Sequence, residues 1–132
     1  AWDRMLALNG NTAPYLQYAH ARICSMFRKG NIQEDRGTWA FVLVKPAERA
    51  LGLKLLQLPE VVASVAVELR PHVLCTYLYE LAVAFSTFYD QCPVLTAPTQ
   101  TERETRLGLC SLTRRTLAQG LDLLGISAPQ EM

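Results

Sequence analysis

Prolines constrain this chain more than any other feature. Pro14, Pro46, Pro59 and Pro71 each stand at the head of a stretch with helical patterning. A proline in the first turn of a helix forfeits nothing, since its missing N–H would have no intrahelical partner, whereas inside a helix or a central strand it breaks the ladder. The first long helix is predicted from Asn11-Thr12-Ala13-Pro14, where Asn and Thr offer capping oxygens, to about Lys29, with Gly30 as its stop. Further helices are predicted over residues 46–57, 59–69 and 71–91, and a short helical turn over residues 2–8 closing at Asn9-Gly10. Residues 92–100 hold two prolines and little periodicity, and read as a loop. Thr101 then opens the last helix, with Glu102 and Glu104 complementing its dipole and Gly125 ending it. Its apolar face is expected from Leu107, Leu109, Leu112, Leu117, Leu121 and Leu124.

Strand signals are confined to Trp39-Ala-Phe-Val-Leu-Val44, a short isolated run better read as an irregular or helical segment against the core. The sum is an all-α bundle of about five helices, one domain over residues 1–132, with residues 30–44 a variable loop or insertion. A chain of 132 residues that is 50% hydrophobic can bury a core of its own. Charge or proline interrupts each apolar run before the ~18–20 residues a bilayer span needs, so no membrane partner is expected.

Chemistry is scarce. His20 and His72 lie far apart, without Cys or carboxylate neighbours at ligand spacing, so no metal is expected. Phosphate-cradling glycine loops and nucleophile elbows are absent, which leaves no catalytic residue to assign and no cofactor for this chain. Cys24, Cys75, Cys92 and Cys110 form no C-x-x-C pair and read as reduced, packed thiols in a cytoplasmic protein. With 13 Lys+Arg against 12 Asp+Glu, a net charge of +1 excludes coating nucleic acid by bulk electrostatics but not a few placed contacts. The opening Ala1-Trp2-Asp3-Arg4 has no initiator Met or leader pattern and reads as a piece of a longer chain, expected to be monomeric.

One stripe stands out on the helix that begins at Asn11. At about 100° per residue and with Tyr15 at zero, Tyr18 falls near 300°, Arg22 near 340° and Lys29 near 320°. Leu16, Ala19, Ile23, Met26 and Phe27 occupy roughly 20° to 120°, an apolar face beside it. Two rings one turn apart beside two cations suit a single-stranded loop, with bases on rings and phosphates on Arg22 or, more weakly, Lys29. The same stripe also fits two rim tyrosines that close the core with their hydroxyls in water. Tyr89 draws notice because it ends a helix beside a loop.

Asn11-Thr-Ala-Pro-Tyr-Leu-Gln-Tyr-Ala-His-Ala-Arg22-Ile23 resembles the opening helix of the C-terminal anticodon-binding domain of arginyl-tRNA synthetases, the DALR domain. Further stretches agree in order: Glu48-Arg49-Ala-Leu-Gly-Leu-Lys-Leu-Leu-Gln-Leu-Pro59-Glu60-Val61-Val62, Pro71-His-Val-Leu-Cys-Thr-Tyr77-Leu-Tyr79-Glu-Leu-Ala82 and Phe88-Tyr89-Asp90. The ending Pro129-Gln130-Glu131-Met132 is similar to the Pro-Glu-x-Met-like close of that family, with Gln130 inserted; the naming Asp-Ala-Leu-Arg segment is not intact. The resemblance implies a helical bundle that grips the anticodon stem and loop of the tRNA for arginine. Rings at Tyr15, Tyr18 and Tyr89 would contact loop bases, and Met132 would lie against the same loop. It also implies a separate catalytic domain of the same chain that uses ATP, with Mg, to attach arginine; the His-x-Gly-His-like and Lys-Met-Ser-Lys-Ser-like signatures of that domain are absent here. A contrasting possibility is a non-catalytic helical module derived from such a domain, whose Tyr-Arg edge docks a partner helix.

Overall fold

Capping chemistry sets the element boundaries in the computed structural model, which describes residues 12–34 and 39–132. Five helices follow in order: α1 Thr12–Lys29, α2 Pro46–Leu56, α3 Leu58–Glu68, α4 Pro71–Gln91 and α5 Gln100–Leu123. No strand occurs among the described residues, and the strand-like run at 39–44 is irregular. Gln57 joins α2 to α3 with φ −80° and ψ −10°, still in the right-handed region. The bundle therefore counts as five helices or as four rods, close to the expected number. The turn expected over residues 2–8 lies outside the described residues, as do residues 35–38 of the loop.

The start of the last helix and the left-handed stop of the first each differ from the sequence reading by a residue, for a local reason. The last helix starts at Gln100 rather than Thr101, because Thr99 is the N-cap and its side chain accepts from the Glu102 N–H at 3.1 Å. At the end of α1 the left-handed residue is Asn31, with φ 51°, rather than Gly30. Asn31 N–H bonds the Arg28 carbonyl and Ile32 N–H the Phe27 carbonyl, the paired bonds of a Schellman stop. Gly30 is small for another reason: a Cβ there would stand 2.8 Å from Leu95 and 2.9 Å from Ile32. Gly125 ends α5 as expected, with φ 75°, its N–H bonding the Asp122 carbonyl and the Ile126 N–H the Leu121 carbonyl.

The expectation that no apolar run reaches membrane-spanning length is overturned. Residues Pro46–Glu68 run for 23 residues with a mean hydropathy of 1.5 in an 18-residue window, enough to span by length and composition. Pro59 does not break this run, because it falls in the first turn of α3, where no N–H is needed. Here α2 and α3 lie along α4, tied by Tyr77 Oη–H donating to the Lys54 carbonyl at 2.5 Å and by a Lys54–Glu80 ion pair at 2.6 Å. Leu53, Leu56 and Val67 on the outer side are exposed.

α4 is the central rod, in contact with every other helix, and its Leu74, Leu78, Leu81, Phe85 and Phe88 are almost wholly buried. α5 contributes Leu107, Leu109, Leu117 and Leu121 to that core. Leu112 is exposed and Leu124 only half-buried, so the expected six-leucine face loses two members: Leu112 lies off the arc of the other four, and Leu124 keeps the arc but stands at the C-cap, past the last helical residue. Gly120 lets α5 approach α4 closely, since a Cβ there would stand 2.5 Å from the buried Leu78 side chain.

A buried ion pair joins the remaining parts. Glu48 and Arg106 are 1% and 2% exposed, and Arg106 Nε donates to Glu48 Oε2 at 2.9 Å. Arg106 Nη1 donates to the Pro93 carbonyl at 2.8 Å and Nη2 to Glu102 at 3.0 Å, while Glu48 Oε1 accepts from the Val44 and Lys45 N–H groups at 2.9 and 2.8 Å. Burial alone would raise the Glu48 pKa, but the Arg106 hydrogen bond and those two N–H donors outweigh it and hold the carboxyl below its ordinary 4.5.

Glu48→Ala is expected to destabilise the fold by about 3–5 kcal/mol in urea unfolding, because it strands a buried guanidinium. In the parent protein the Glu48 contribution should be complete above pH about 4.5 and lost as pH falls through the depressed folded value, a dependence the variant should lack. Gly120→Ala should cost about 1–3 kcal/mol despite the better helix propensity of alanine, since Leu78 has no room to withdraw.

Candidate functional site

Helix α1 divides its circumference among three tasks. Leu16, Ala19, Ile23, Met26 and Phe27 are buried in the bundle core. Gln17, His20 and Arg28 form a second stripe along which the C-terminal residues run: Gln17 Nε2 donates to the Ser127 carbonyl at 2.9 Å, His20 Nδ1 to the Pro129 carbonyl at 2.8 Å and Arg28 Nη1 to the Gln130 carbonyl at 3.2 Å. A carbonyl can only accept, so the His20 proton lies on Nδ1. Burial pushes His20 below the ordinary 6.5, against the opposing effect of its Pro129 bond. Ile126 and Ala128 pack on the core and bring the tail to this face after the Gly125 turn.

The third face opens into a cavity of about 620 Å³. Tyr18, Arg22 and Lys29 line it from α1, Tyr89 from the end of α4, Leu95 from the following loop and Met132 from the tail. Five of the six residues singled out in the sequence thus share one cavity. Tyr15 is the sixth, and it lies elsewhere: its ring packs 5.5 Å from Tyr79 and its hydroxyl is 3.4 Å from Ser86 Oγ. One turn along α1 is enough to move it from the cavity to the α4 interface. Tyr77, on the same helix as Tyr89, is buried, its hydroxyl pushed up to about 12 by burial.

Arg22 is the electrostatic centre of the cavity. Its guanidinium carbon lies 4.9 Å from the Tyr89 ring centroid and 5.7 Å from that of Phe85, cation–π distances on two rings that themselves stack at 5.5 Å. The Arg22 Nε is buried with no hydrogen-bond partner among the described residues. Burial raises the Tyr89 phenol pKa, the Cys110 thiol adds to the rise, and the Arg22 charge opposes it. Tyr18 is 56% exposed and Met132 65% exposed, so an exposed ring and an exposed thioether line the same cavity as the cation. Such a set can stack planar groups and bind an anion between them.

Arg28 also lines this cavity and was not singled out by the sequence reading. At about 220° on the same wheel it lies beside Ala21, outside the stripe of Tyr18, Arg22 and Lys29, so the periodicity carried no signal for it. The tail contacts of Gln17 and His20 had no signal, because they depend on where Gly125 sends the chain. A second cavity of about 690 Å³, between α2, α3 and α5, is lined by Leu53, Leu56, Leu58, Pro59, Phe41 and Leu112 among others and pairs no ring with a cation. Among the described residues, no group of three or more His, Cys, Asp or Glu is placed to hold a metal ion.

Arg22→Met should leave stability within about 1 kcal/mol, since it removes a buried donor that has no acceptor and keeps the stem's volume. Tyr89 should then titrate higher still in a phenol absorbance titration, its one depressing charge being gone.

The comparisons with known proteins agree with this architecture. The arginine–tRNA ligase of Thermobifida fusca is 55% identical over 131 residues, which are 99% of this chain and 23% of that protein. The arginyl-tRNA synthetase structure from Thermus thermophilus superposes with a TM-score of 0.77 at 46% identity, over 90% of this chain and 21% of its own. That from Plasmodium falciparum gives 0.80 at 32% identity, over all of this chain and 23% of its own. The chain therefore spans about a quarter of the length of the relatives it matches. A family model for the DALR anticodon binding domain matches residues 16–132, taking in all of the core and the cavity, and the chain belongs to that family.

Proposed function

We propose that this chain recognises the anticodon stem and loop of the tRNA for arginine, as the anticodon-binding domain of a cytoplasmic arginine–tRNA ligase. The observation that carries the reading is the cavity in which Arg22, with a buried unpartnered Nε, lies on the Tyr89 ring and shares the lining with an exposed Tyr18 and an exposed Met132. Loop bases splayed from their stack would lie on Tyr18 and Tyr89 and meet the tail at Met132. Phosphates would meet Arg22 and Lys29, with Arg28 added to the set. Tyr15, one turn back on α1, would extend the surface along the loop and contribute less than Tyr18. The catalytic domain of the same chain would activate arginine with ATP and Mg, chemistry for which this domain supplies no residue. The apolar flank around Leu53 and Leu56 is the surface available to that domain.

Stacking is worth about 1–3 kcal/mol per base, and about three cations at the cavity give a salt slope near −2 on a single strand, so binding by this chain alone is weak and modestly salt-dependent. The test is titration with an arginine-type anticodon hairpin, and with the same hairpin carrying a changed middle cytosine, at one low salt concentration. The unchanged hairpin should bind better. Tyr18→Ala and Tyr89→Ala should each weaken it by about tenfold or more with an unaltered far-UV circular dichroism spectrum. Equal affinity for both hairpins, or loss of binding only alongside unfolding, would contradict the reading. A saturable protein partner at the Tyr18–Arg22 edge with no RNA preference would favour the interaction-module alternative instead.

A further inference from the structure

We propose that His20 is a positioning residue for the C-terminal tail, holding Met132 at the rim of the Tyr18–Tyr89 cavity; its effect on RNA rests on the function proposed above. Past Ala128, the last tail residue packed on the core, the chain has four residues left, and three contacts hold them. Arg28 donates to the Gln130 carbonyl at 3.2 Å and stands 4.0 Å from Glu131, but both of these side chains are solvated, at 46% and 82% exposed. Exposed pairs of this kind hold little. The third contact is His20 Nδ1–H to the Pro129 carbonyl at 2.8 Å, from a residue that is 3% exposed and set in the middle of α1.

The difference in burial decides which contact fixes the tail. A solvated donor that is lost is replaced by water, whereas a buried donor that is lost leaves its acceptor without a partner. Pro129 has no N–H of its own to form an alternative backbone bond, so its carbonyl is the only main-chain group it can offer α1. Cys24 Sγ lies 3.8 Å from the same His20 nitrogen, and Arg114 and Glu34 act on the ring electrostatically from outside α1. None of these reaches the tail in place of His20. The imidazole is thus the last rigid attachment before Gln130, Glu131 and Met132, all three of which line the cavity.

The experiment measures tail order and hairpin binding separately, on the 132-residue chain. Three variants are compared: His20→Ala; His20→Asn, whose side-chain amide donates from a similar place; and a chain ending at Ala128. Backbone ¹⁵N heteronuclear NOE values for Gln130, Glu131 and Met132 should fall in His20→Ala and stay near the parent in His20→Asn. Hairpin affinity should drop roughly fivefold or more in His20→Ala and in the shortened chain, and the His20→Ala change should add nothing once residues 129–132 are gone. His20→Asn should restore most of the affinity, which a general loss of stability would not allow. Unchanged tail NOE values in His20→Ala would overturn the proposal. So would additive losses in the doubly altered chain, or a loosened tail with undiminished hairpin binding. If the parent chain binds no hairpin, the RNA reading fails, and the NOE values alone decide whether His20 holds the tail.

Discussion

The buried Glu48–Arg106 pair is the constraint on which the other contacts depend. It joins two regions across a gap of 58 residues: the irregular run before α2 with the first turn of α2, through Val44 and Glu48, and the loop after α4 with the start of α5, through Pro93 and Arg106. A pair so deeply buried is tolerable only because each of its polar atoms has a partner: every guanidinium nitrogen donates, and both carboxylate oxygens accept. The consequence reaches the cavity. Arg106 fixes the loop in which Val94 is buried and Leu95 forms a cavity wall, and that loop packs back on Gly30 at the end of α1. Position at the site is therefore set by a polar network on the other side of α4.

The cavity itself is built by convergence. α1 supplies a ring and cations, the last turn of α4 supplies Tyr89, and the tail supplies Met132. Arg22 is held by aromatic faces instead of carboxylates, which leaves its hydrogen-bonding capacity unused inside the protein. Arg114 shows the contrast: its Nε donates to the Glu34 carboxylate at 2.6 Å, a counter-charge that Arg22 lacks among the described residues. Two arginines on adjacent helices thus differ in what they can bind because of what packs beside them.

Much of the fold was legible because helix signals are local. Prolines at first turns, Thr99 and Gly125 act within a few residues of themselves, so α1, α4 and α5 could be placed to within a residue or two. The failures came where a local sign was read without its position. The apolar run over residues 46–68 counts as interrupted by charge or proline in the sequence reading, although Pro59 reads there as a helix start, where no N–H is needed. Glu48 carried no local sign of its burial, because its partner lies 58 residues away. At the site, the stripe found by periodicity split between Tyr15, turned to Tyr79, and Tyr18, turned to the cavity.

By itself the sequence determined the helical class, the order of the elements, the apolar face of α1 and the Tyr18–Arg22–Lys29 edge. All of these follow from side-chain periodicity and from capping at a few neighbouring residues. Only the tertiary structure decided that Tyr89 and Met132 would stand beside that edge, that Arg22 would lie between two rings, and that His20 would meet Pro129. The Arg22–Phe85 contact spans 63 positions and the His20–Pro129 bond 109, and nothing in a local window specifies which distant groups will share one buried space. That choice belongs to the packing of α1 and α5 around α4, and to the polar atoms that must all find partners before it can close.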